Sequence, residues 1–444
     1  ALVLAAPWVL GTLLAGTASV GIFGLPISAA TAPGWGEVVR FAIGPAARSP
    51  LVWFLVVSAA LPLLLGRGVR LVWAARLWVG ACASWGLALA TSRGDLGSFT
   101  PSESVVLVPA ALAVAACVGL GIAAFENDLA GREFGWRQVV SVVALVFVVI
   151  GMLPVAAASV GGRWGLPSQG VEQPLAFLNQ PSTTGVARVL WLGDPRALPV
   201  GGWSVQPGLA YALTPEDLPS TEQVLTPAGP GPAAVVGDAV RLAVAGGTVH
   251  LGRLLAPAGV RYVVVVDALA PSMAGSGTPS VSAPPPAGLV ADLLAQSDLR
   301  VVPGEFGVQV FANGEDMPVT AERVAPLPAS TTATTPSAAD VAGWRPVLGA
   351  LWSKPSASGR VDAGTVYAGY APAGSFSLSV DGRAVNGRPA FGWAGQYEVV
   401  PGQASLSLSQ FPLVPLAVAL ELGAWVALAV ALVGRRHGRG APAP

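Results

Sequence analysis

The sequence predicts an α-helical membrane protein with about six spans, an extracytoplasmic α/β domain and a small antiparallel β-sandwich-like domain. Three observations predict this class. The chain of 444 residues is 53% hydrophobic and only 11% charged, with mean hydropathy +0.63, whereas an ordinary soluble domain has about 25% charged residues. Several apolar segments approach the roughly 20 residues that a helix needs to cross a bilayer. Between the last two of them lies a long stretch of short strand-like and helix-like patterns.

The predicted spans cover residues 1–24, 51–66, 69–92, 104–125, 137–160 and 412–433. Arginines in short loops favour the cytoplasmic side of a membrane. The arginines that follow spans two, four and six fall on one side if all six segments cross, although Arg40, Arg48 and Arg93 fall on the other. We therefore expect a multi-pass protein of the cell membrane, with residues 161–410 extracytoplasmic and the C-terminus cytoplasmic.

Composition divides the chain further. Two stretches rich in Pro, Ser, Thr and Ala can bury little apolar surface, which is typical of mobile linkers. The expected organisation is a five-span region at 1–160, an α/β domain at 161–325 with a disordered insertion at 269–287, a linker at 326–340, a β-domain at 341–410, a transmembrane helix at 411–434 and a tail at 435–444.

The α/β pattern alternates helices with continuous apolar strands, as in a sheet that is covered on both faces. ARVLWLG, VRYVVVV, LRVVP and FGVQVFAN read as strands, and VRYVVVV is too short to span a membrane, which makes it a central strand. DAVRLAVAGG reads as a helix with Asp238 as its N-cap, and a second short helix closes at Gly259. After residue 341, short alternating segments with Gly and Asp-Gly turns indicate the antiparallel β-domain.

Several long strings occur in a recognisable order, among them AAFENDLAGREFGWRQVVSVVA, RVLWLGDPRALP, GRLLAPAGVRYVVV and DGRAVNGRPAFGWAGQYEV. Together they resemble the C-terminal membrane part of large actinobacterial membrane proteins of the family 2 glycosyltransferase type. The resemblance implies a cytoplasmic glycosyltransferase domain upstream of Ala1. This chain has no Asp-x-Asp motif, so we expect it to lack the catalytic domain.

Glu37 and Arg40 are the candidate catalytic residues. Their spacing puts both on one face of a short interfacial helix, with Trp35 and Phe41 available to dip into lipid. Glu37 is a possible acid or base, since polyprenyl-phosphate-sugar transferases place catalytic acids in outer loops near the membrane. The plainer interpretation is a solvated ion pair.

The candidate ligand-binding residues are Asp194 and Arg196, and Trp393 and Tyr397. The first two follow a buried strand, and ligands of α/β sheets gather at such carboxyl ends; an ordinary Asp-Pro turn is the alternative. Trp393 and Tyr397 belong to a group of β-domain aromatic residues that offers a platform for stacking on sugars, with core packing as the alternative.

Arg76 and Glu421 are the ionisable residues that lie deepest in predicted spans, and an intramembrane charge indicates function by default. Snorkelling of the side chain to the interface explains Arg76. Glu421 lies nearer to mid-depth, where it needs a partner or a proton, and we expect it to face the interior of the helix bundle.

Other classes of site and partner are not indicated. His250 and His437 have no Cys, His or acidic cluster beside them, so we expect no metal site, and we expect no cofactor. The basic stripe that nucleic-acid binding requires is missing. The expected partners are the lipid bilayer and a lipid-linked sugar or envelope glycan. The leading hypothesis is a membrane-anchored module of an envelope glycosyltransferase, the second is a non-enzymatic scaffold or glycan-binding membrane protein, and a transporter is the weakest.

Overall fold

The computed structural model describes residues 33–42, 49–93, 95, 103–128, 136–160, 175–179, 185–195, 197–198, 202–215, 231–268, 283–303, 307–324, 335–349, 356–370 and 376–408, and single helical positions between 419 and 430. Helices make up the described part before residue 161. Strands and short helices make up the part after residue 175. Mixed α and β content is therefore confirmed.

The helical region contains three short helices and three long ones: α1 (Trp35–Val39), α2 (Val52–Ala59), α3 (Leu61–Leu65), α4 (Val69–Arg93), α5 (Glu103–Asp128) and α6 (Trp136–Val160). Among the described residues, two helical stretches are long and apolar enough to cross a membrane. They are Val69–Arg93 and Val105–Ala123.

The structure therefore supports two of the six expected spans. The first lies outside the described residues, and so does the sixth apart from isolated helical positions. The second is split at Ala60 into α2 and α3, with Pro62 in the first turn of α3, where proline is tolerated because that amide has no helical partner. The fifth forms α6, in which the described apolar stretch is Val142–Pro154.

Helices α4 and α5 form an antiparallel hairpin that two hydrogen bonds hold in register. The Ser84 hydroxyl donates to the Val106 carbonyl, and the Cys117 thiol donates to the Ala74 carbonyl at 4.0 Å. The helices can approach closely because small side chains line the seam between them. The buried alanines of this seam are Ala74, Ala81, Ala88, Ala110 and Ala113.

A six-stranded mixed sheet organises the region between residues 188 and 313. Its strand order is β2-β3-β1-β4-β6-β5. Strands β1 and β4 pair in parallel, and the other neighbours are antiparallel. The prediction that VRYVVVV is a central strand is confirmed, because it forms β4. The strands are β1 (Arg188–Gly193), β2 (Trp203–Gln206), β3 (Leu209–Pro215), β4 (Val260–Val266), β5 (Leu299–Val302) and β6 (Val308–Asn313).

Both faces of the central strands are covered, as their apolar sequences predict. Leu190 and Val263 point into one apolar cluster with the helices. Trp191 and Val264 point into a second cluster on the opposite face. The helices on the first face are α7 (Pro232–Val244), α8 (Leu251–Leu255) and α9 (Leu289–Leu294).

The expected N-cap of the helix at DAVRLAVAGG was wrong. The helix α7 begins at Pro232, after Gly231, so Asp238 lies inside it. Proline is well suited to the first helical position, because its fixed φ fits the helix and its missing amide costs no hydrogen bond there. The exposed Asp238 instead pairs with Arg241 at 2.6 Å.

Two antiparallel sheets form the C-terminal part and pack face to face. One has the order β13-β14-β10-β7-β8 and the other β12-β11-β15-β9, and one apolar cluster contains residues of both. The strands are β7 (Thr320–Arg323), β8 (Arg345–Pro346), β9 (Ser356–Val361), β10 (Gly364–Ala368), β11 (Phe376–Val380), β12 (Arg383–Val385), β13 (Gly387–Ala390), β14 (Ala394–Val399) and β15 (Gly402–Leu408). Between β7 and β8, the short helix α10 (Ala338–Val341) begins within the expected linker 326–340.

This sandwich shares a core with the six-stranded sheet. Tyr367 and Phe391 of the sandwich belong to the same apolar cluster as Leu190 and Val263 of the sheet. The hydroxyl of Tyr367 donates to the carbonyl of Pro257 at 2.6 Å. Strand β7, which precedes residue 326, pairs with β10, so sheet pairing also crosses the expected linker.

Candidate functional site

Glu37 and Arg40 both lie on α1, and each turns back to its own helix. The Glu37 carboxylate accepts a hydrogen bond from the Gly34 amide at 3.0 Å and so caps the N-terminus. The Arg40 guanidinium donates through Nε to the Gly36 carbonyl at 3.0 Å. These contacts engage the two side chains locally, and neither requires the other as a partner. Their catalytic role remains a prediction.

Helix α1 rests on the hairpin through Val38 and Phe41. Val38 is fully buried, and the ring of Phe41 lies 6.1 Å from that of Trp85 in α4. Phe41 adopts a left-handed backbone with φ 58°, which is uncommon for a residue with a large side chain. The strained turn directs Phe41 into the protein, whereas Trp35 remains 65% exposed and available to lipid.

Glu103, which the sequence reasoning passed over as the edge of a span, is the most unusual residue of this end of the hairpin. It begins α5 and is only 6% exposed. Among the described residues its carboxyl has no hydrogen-bond or ion-pair partner. Burial raises its pKa to about 7, because the charged form loses hydration and gains no compensating contact.

The position of Glu103 follows from the packing of the hairpin. It continues the buried stripe Leu107, Ala110, Val114 and Cys117 at the alternating spacing of four and three residues that faces a partner helix. An apolar residue would normally occupy that place. A signal was present in the sequence, since ESVV puts an acidic residue immediately before an apolar run.

Trp85 supplies a second unpaired polar group at a similar depth of the hairpin. Its indole Nε1 is buried and has no hydrogen-bond partner. Since Ser84 contacts Val106, helix rise places Trp85 and Glu103 within about one turn of each other in depth. We call Trp85 and Glu103 the hairpin-loop site. The indole can donate a hydrogen bond to a hydroxyl group, and the carboxylate can accept one from a hydroxyl group. A carboxyl with a pKa near 7 can also exchange a proton at neutral pH.

The six-stranded sheet places two acidic residues at one edge. Gly193 pairs with Val266 in the parallel register of β1 and β4, so Asp194 and Asp267 leave the same sheet edge on adjacent strands, about 4.8 Å apart. Asp194 is 5% exposed, and burial raises the pKa of the half-buried Asp267. The sequence analysis named Asp194 and missed Asp267, although each follows an apolar strand. Arg196 lies outside the described residues.

Trp393 and Tyr397 lie in the interior of the C-terminal part. They are 7% and 1% exposed, and Trp393 belongs to the core that the sandwich shares with the six-stranded sheet. Tyr397 packs between the two sheets of the sandwich. Buried rings are what the packing interpretation expects, because a ring that stacks on a sugar must expose a face. Their role in ligand binding remains a prediction.

Arg76 lies on the exposed surface of α4, with its guanidinium 5.3 Å from the ring centroid of Trp73. Both residues are near the end of the hairpin opposite to Glu103. Such an arrangement is compatible with a side chain that reaches toward a membrane interface. Glu421 lies outside the described residues, so its expected interior position stays a prediction.

No family model matches the chain, and no curated protein sequence matches it. A cryo-EM structure of the arabinofuranosyltransferase AftD from Mycobacteria aligns with 91% of this chain and 41% of its own, at a TM-score of 0.28 and 14% identity. The chain thus spans less than half of that protein. At these values the similarity establishes neither a shared fold nor a shared activity.

Proposed function

We propose that this chain is the membrane-anchored, extracytoplasmic module of a cell-envelope glycosyltransferase, and that it supports polysaccharide or glycolipid assembly by holding a sugar acceptor. The observation that carries the proposal is the buried, unpartnered carboxyl of Glu103 at the end of an apolar hairpin. The resemblance of the sequence to envelope glycosyltransferases supplies the reaction class.

The directions of the helices support an extracytoplasmic position for this site. Helix α6 starts on the side of the hairpin where α5 ends, and it ends at Val160, shortly before the β-rich part. If α4, α5 and α6 all cross the bilayer, Glu103 and the β-rich part share one side. The arginine bias of the loops favours the outside for that side.

The hairpin-loop site suits a sugar hydroxyl. A hydroxyl group both donates and accepts hydrogen bonds. Among the described residues, the Trp85 indole is an unpaired donor and the Glu103 carboxyl is an acceptor with no partner. Leaving buried polar groups unpaired costs stability. We infer that a bound hydroxyl satisfies these groups, and the ionised form of Glu103 would bind it more strongly.

Glycan-array binding by the full chain in lipid nanodiscs tests this proposal. Wild type should bind envelope glycans, and Glu103→Gln should bind about tenfold more weakly because it loses a charge-assisted hydrogen bond. Glu398→Gln is the matched control, since Glu398 is exposed on the sandwich, and it should bind as wild type does. Equal binding by Glu103→Gln and wild type, or no binding by folded wild type, would overturn the proposal.

A non-enzymatic scaffold or glycan-binding membrane protein is the second candidate. The acidic pair Asp194 and Asp267 favours it, because carboxylates at a sheet edge can bind sugar hydroxyls without any reaction. The gene upstream of Ala1 separates the candidates. An in-frame glycosyltransferase domain supports the first, and a signal sequence or start codon close to Ala1 supports the second.

A further inference from the structure

A cavity of about 70 Å³ lies between α2, α3, α5 and α6. Its wall is almost entirely apolar. The hydroxyl of Ser58 is the polar side-chain group of the lining, and it already donates to the Leu55 carbonyl at 2.7 Å. The polar side chain of the lining is therefore already paired, and an apolar ligand suits the cavity. Its lining includes Ser58, Leu61, Val118, Gly121, Ile122 and Leu145.

The cavity lies beside the junction of α2 and α3. Ala60 between them keeps helical dihedral angles, with φ −77° and ψ −15°, and Pro62 follows in the first turn of α3. Gly121 of α5 faces Pro62 at this point. A Cβ on that glycine would lie 3.6 Å from the proline ring, so the absent side chain leaves part of the space.

The cavity opens to the outside of the helix bundle, where lipid would lie. Three of its lining residues are also strongly exposed: Ile122 at 45%, Leu145 at 53% and Val142 at 55%. Two of them belong to α6, and Ile122 lies within the apolar stretch Val105–Ala123. An apolar mouth at this depth admits a hydrocarbon chain from the side.

Positive charge lies at the end of the bundle nearest to the cavity. Arg67 follows Gly66, the C-cap of α3, and is exposed, and helix rise puts it roughly 10 Å from Leu61 along the chain. A lipid phosphate beside Arg67 would have its chains at the depth of the cavity.

We infer that the cavity holds one hydrocarbon chain of an anionic phospholipid whose phosphate meets Arg67. The apolar wall and the lateral mouth fit the hydrocarbon chain, and the exposed Arg67 fits the phosphate. The inference concerns the opposite end of the hairpin from Glu103 and does not depend on the proposed function.

Native mass spectrometry of the full chain released from nanodiscs tests it. Nanodiscs would contain either phosphatidylglycerol or phosphatidylcholine with the same acyl chains. Wild type should retain one phosphatidylglycerol, and Arg67→Gln should reduce that retention about fivefold, as expected for one arginine near an anionic lipid. Leu145→Trp should abolish retention of either lipid because the larger ring fills the cavity.

The matched control is Leu153→Trp on the same helix, where leucine is similarly exposed, at 51%, but lies outside the cavity lining. It should retain lipid as wild type does, and this shows that a tryptophan on α6 is tolerated. Equal retention of the two lipids by wild type, or unchanged retention by Leu145→Trp in a folded sample, would overturn the inference.

Discussion

The hydroxyl of Ser84 donates a hydrogen bond to the backbone carbonyl of Val106, and so joins α4 to the first turns of α5. The contact lies close to Pro109, which has no amide to bond with the Val105 carbonyl. Helix α5 therefore lacks one internal hydrogen bond in this turn, and the bond from Ser84 of α4 stabilises it there.

Replacing Ser84 with alanine should loosen this end of the hairpin. Ser84→Ala removes the hydrogen bond that the Val106 carbonyl accepts from α4, close to the turn that Pro109 weakens. We expect a loss of about 1 kcal/mol in the free energy of unfolding. Thermal unfolding of the protein in detergent measures it. Ser159→Ala is the control, because Ser159 is exposed and bonds only within its own helix; a loss as large there would contradict the explanation.

The carboxyl of Glu103 should make stability depend on pH. Its pKa in the folded protein, about 7, lies above the ordinary value of 4.5, so folding favours the neutral acid. The contribution of Glu103 to the free energy of unfolding is fully present below about pH 4.5, where the residue is protonated in the folded and the unfolded protein. It is lost as pH rises through 7. The difference between the two pKa values corresponds to a contribution of about 3 kcal/mol at most.

Glu103→Gln should remove that dependence, since glutamine is neutral at every pH. We expect the variant to unfold at a higher temperature than wild type at pH 8 and at a similar temperature at pH 4.5. Melting curves between these values measure the difference. Glu37→Gln, at an exposed cap, should keep the wild-type trend. A Glu103→Gln protein that loses stability with rising pH as wild type does would show that another group titrates.

Gly252 in α8 should not tolerate a side chain. A Cβ there would lie 2.3 Å from Oδ1 of Asn313 and 2.9 Å from Cγ of Asp298, and Asp298 accepts a hydrogen bond from the Arg253 amide at 2.8 Å. Gly252→Ala should therefore cost at least about 2 kcal/mol, through overpacking and a disturbed helix start. Chemical denaturation measures the loss. Gly349→Ala, which meets no atom within 4 Å, should be nearly neutral.

The bond from Tyr367 to Pro257 should contribute to the stability of both β-rich parts. Tyr367→Phe leaves the buried Pro257 carbonyl without this donor, and we expect a loss of about 1–2 kcal/mol in the free energy of unfolding. Arg388→Ala removes an exposed ion pair with Glu398 and should cost less than 1 kcal/mol. Equal losses in the two variants would show that the buried bond has no special weight.

Local patterns predicted the secondary structure well where one residue type dominated. The valines of β4 and the apolar run of β1 indicated buried strands, and apolar composition indicated α4 and α5. The start of α7 was missed because Asp238 gave an N-cap signal, whereas the helix uses Pro232 at its first turn. Asp238 and Pro232 are both typical of a helix start, and the prediction from the sequence used Asp238.

The candidate sites were harder to predict because they depend on contacts between distant residues. Asp194 was named from its place after a strand, but its neighbour Asp267 is set by the parallel register of β1 and β4. Glu103 stood out only once its burial and lack of partners were known. Trp393 was named for its aromatic ring, and its burial follows from a core that two sheets share, which a single strand pattern cannot indicate.

The core that Tyr367 and Phe391 share with the six-stranded sheet also bears on how such a segment can be exchanged between proteins. A recombination event within the Ser- and Thr-rich stretch near residue 330 would separate β7 from β10 and leave an apolar face on each half in contact with water. Gene fusions that preserve solubility should therefore transfer residues 175–408 together. Recombination within the low-complexity stretch should be disfavoured, although its composition resembles that of a linker between domains.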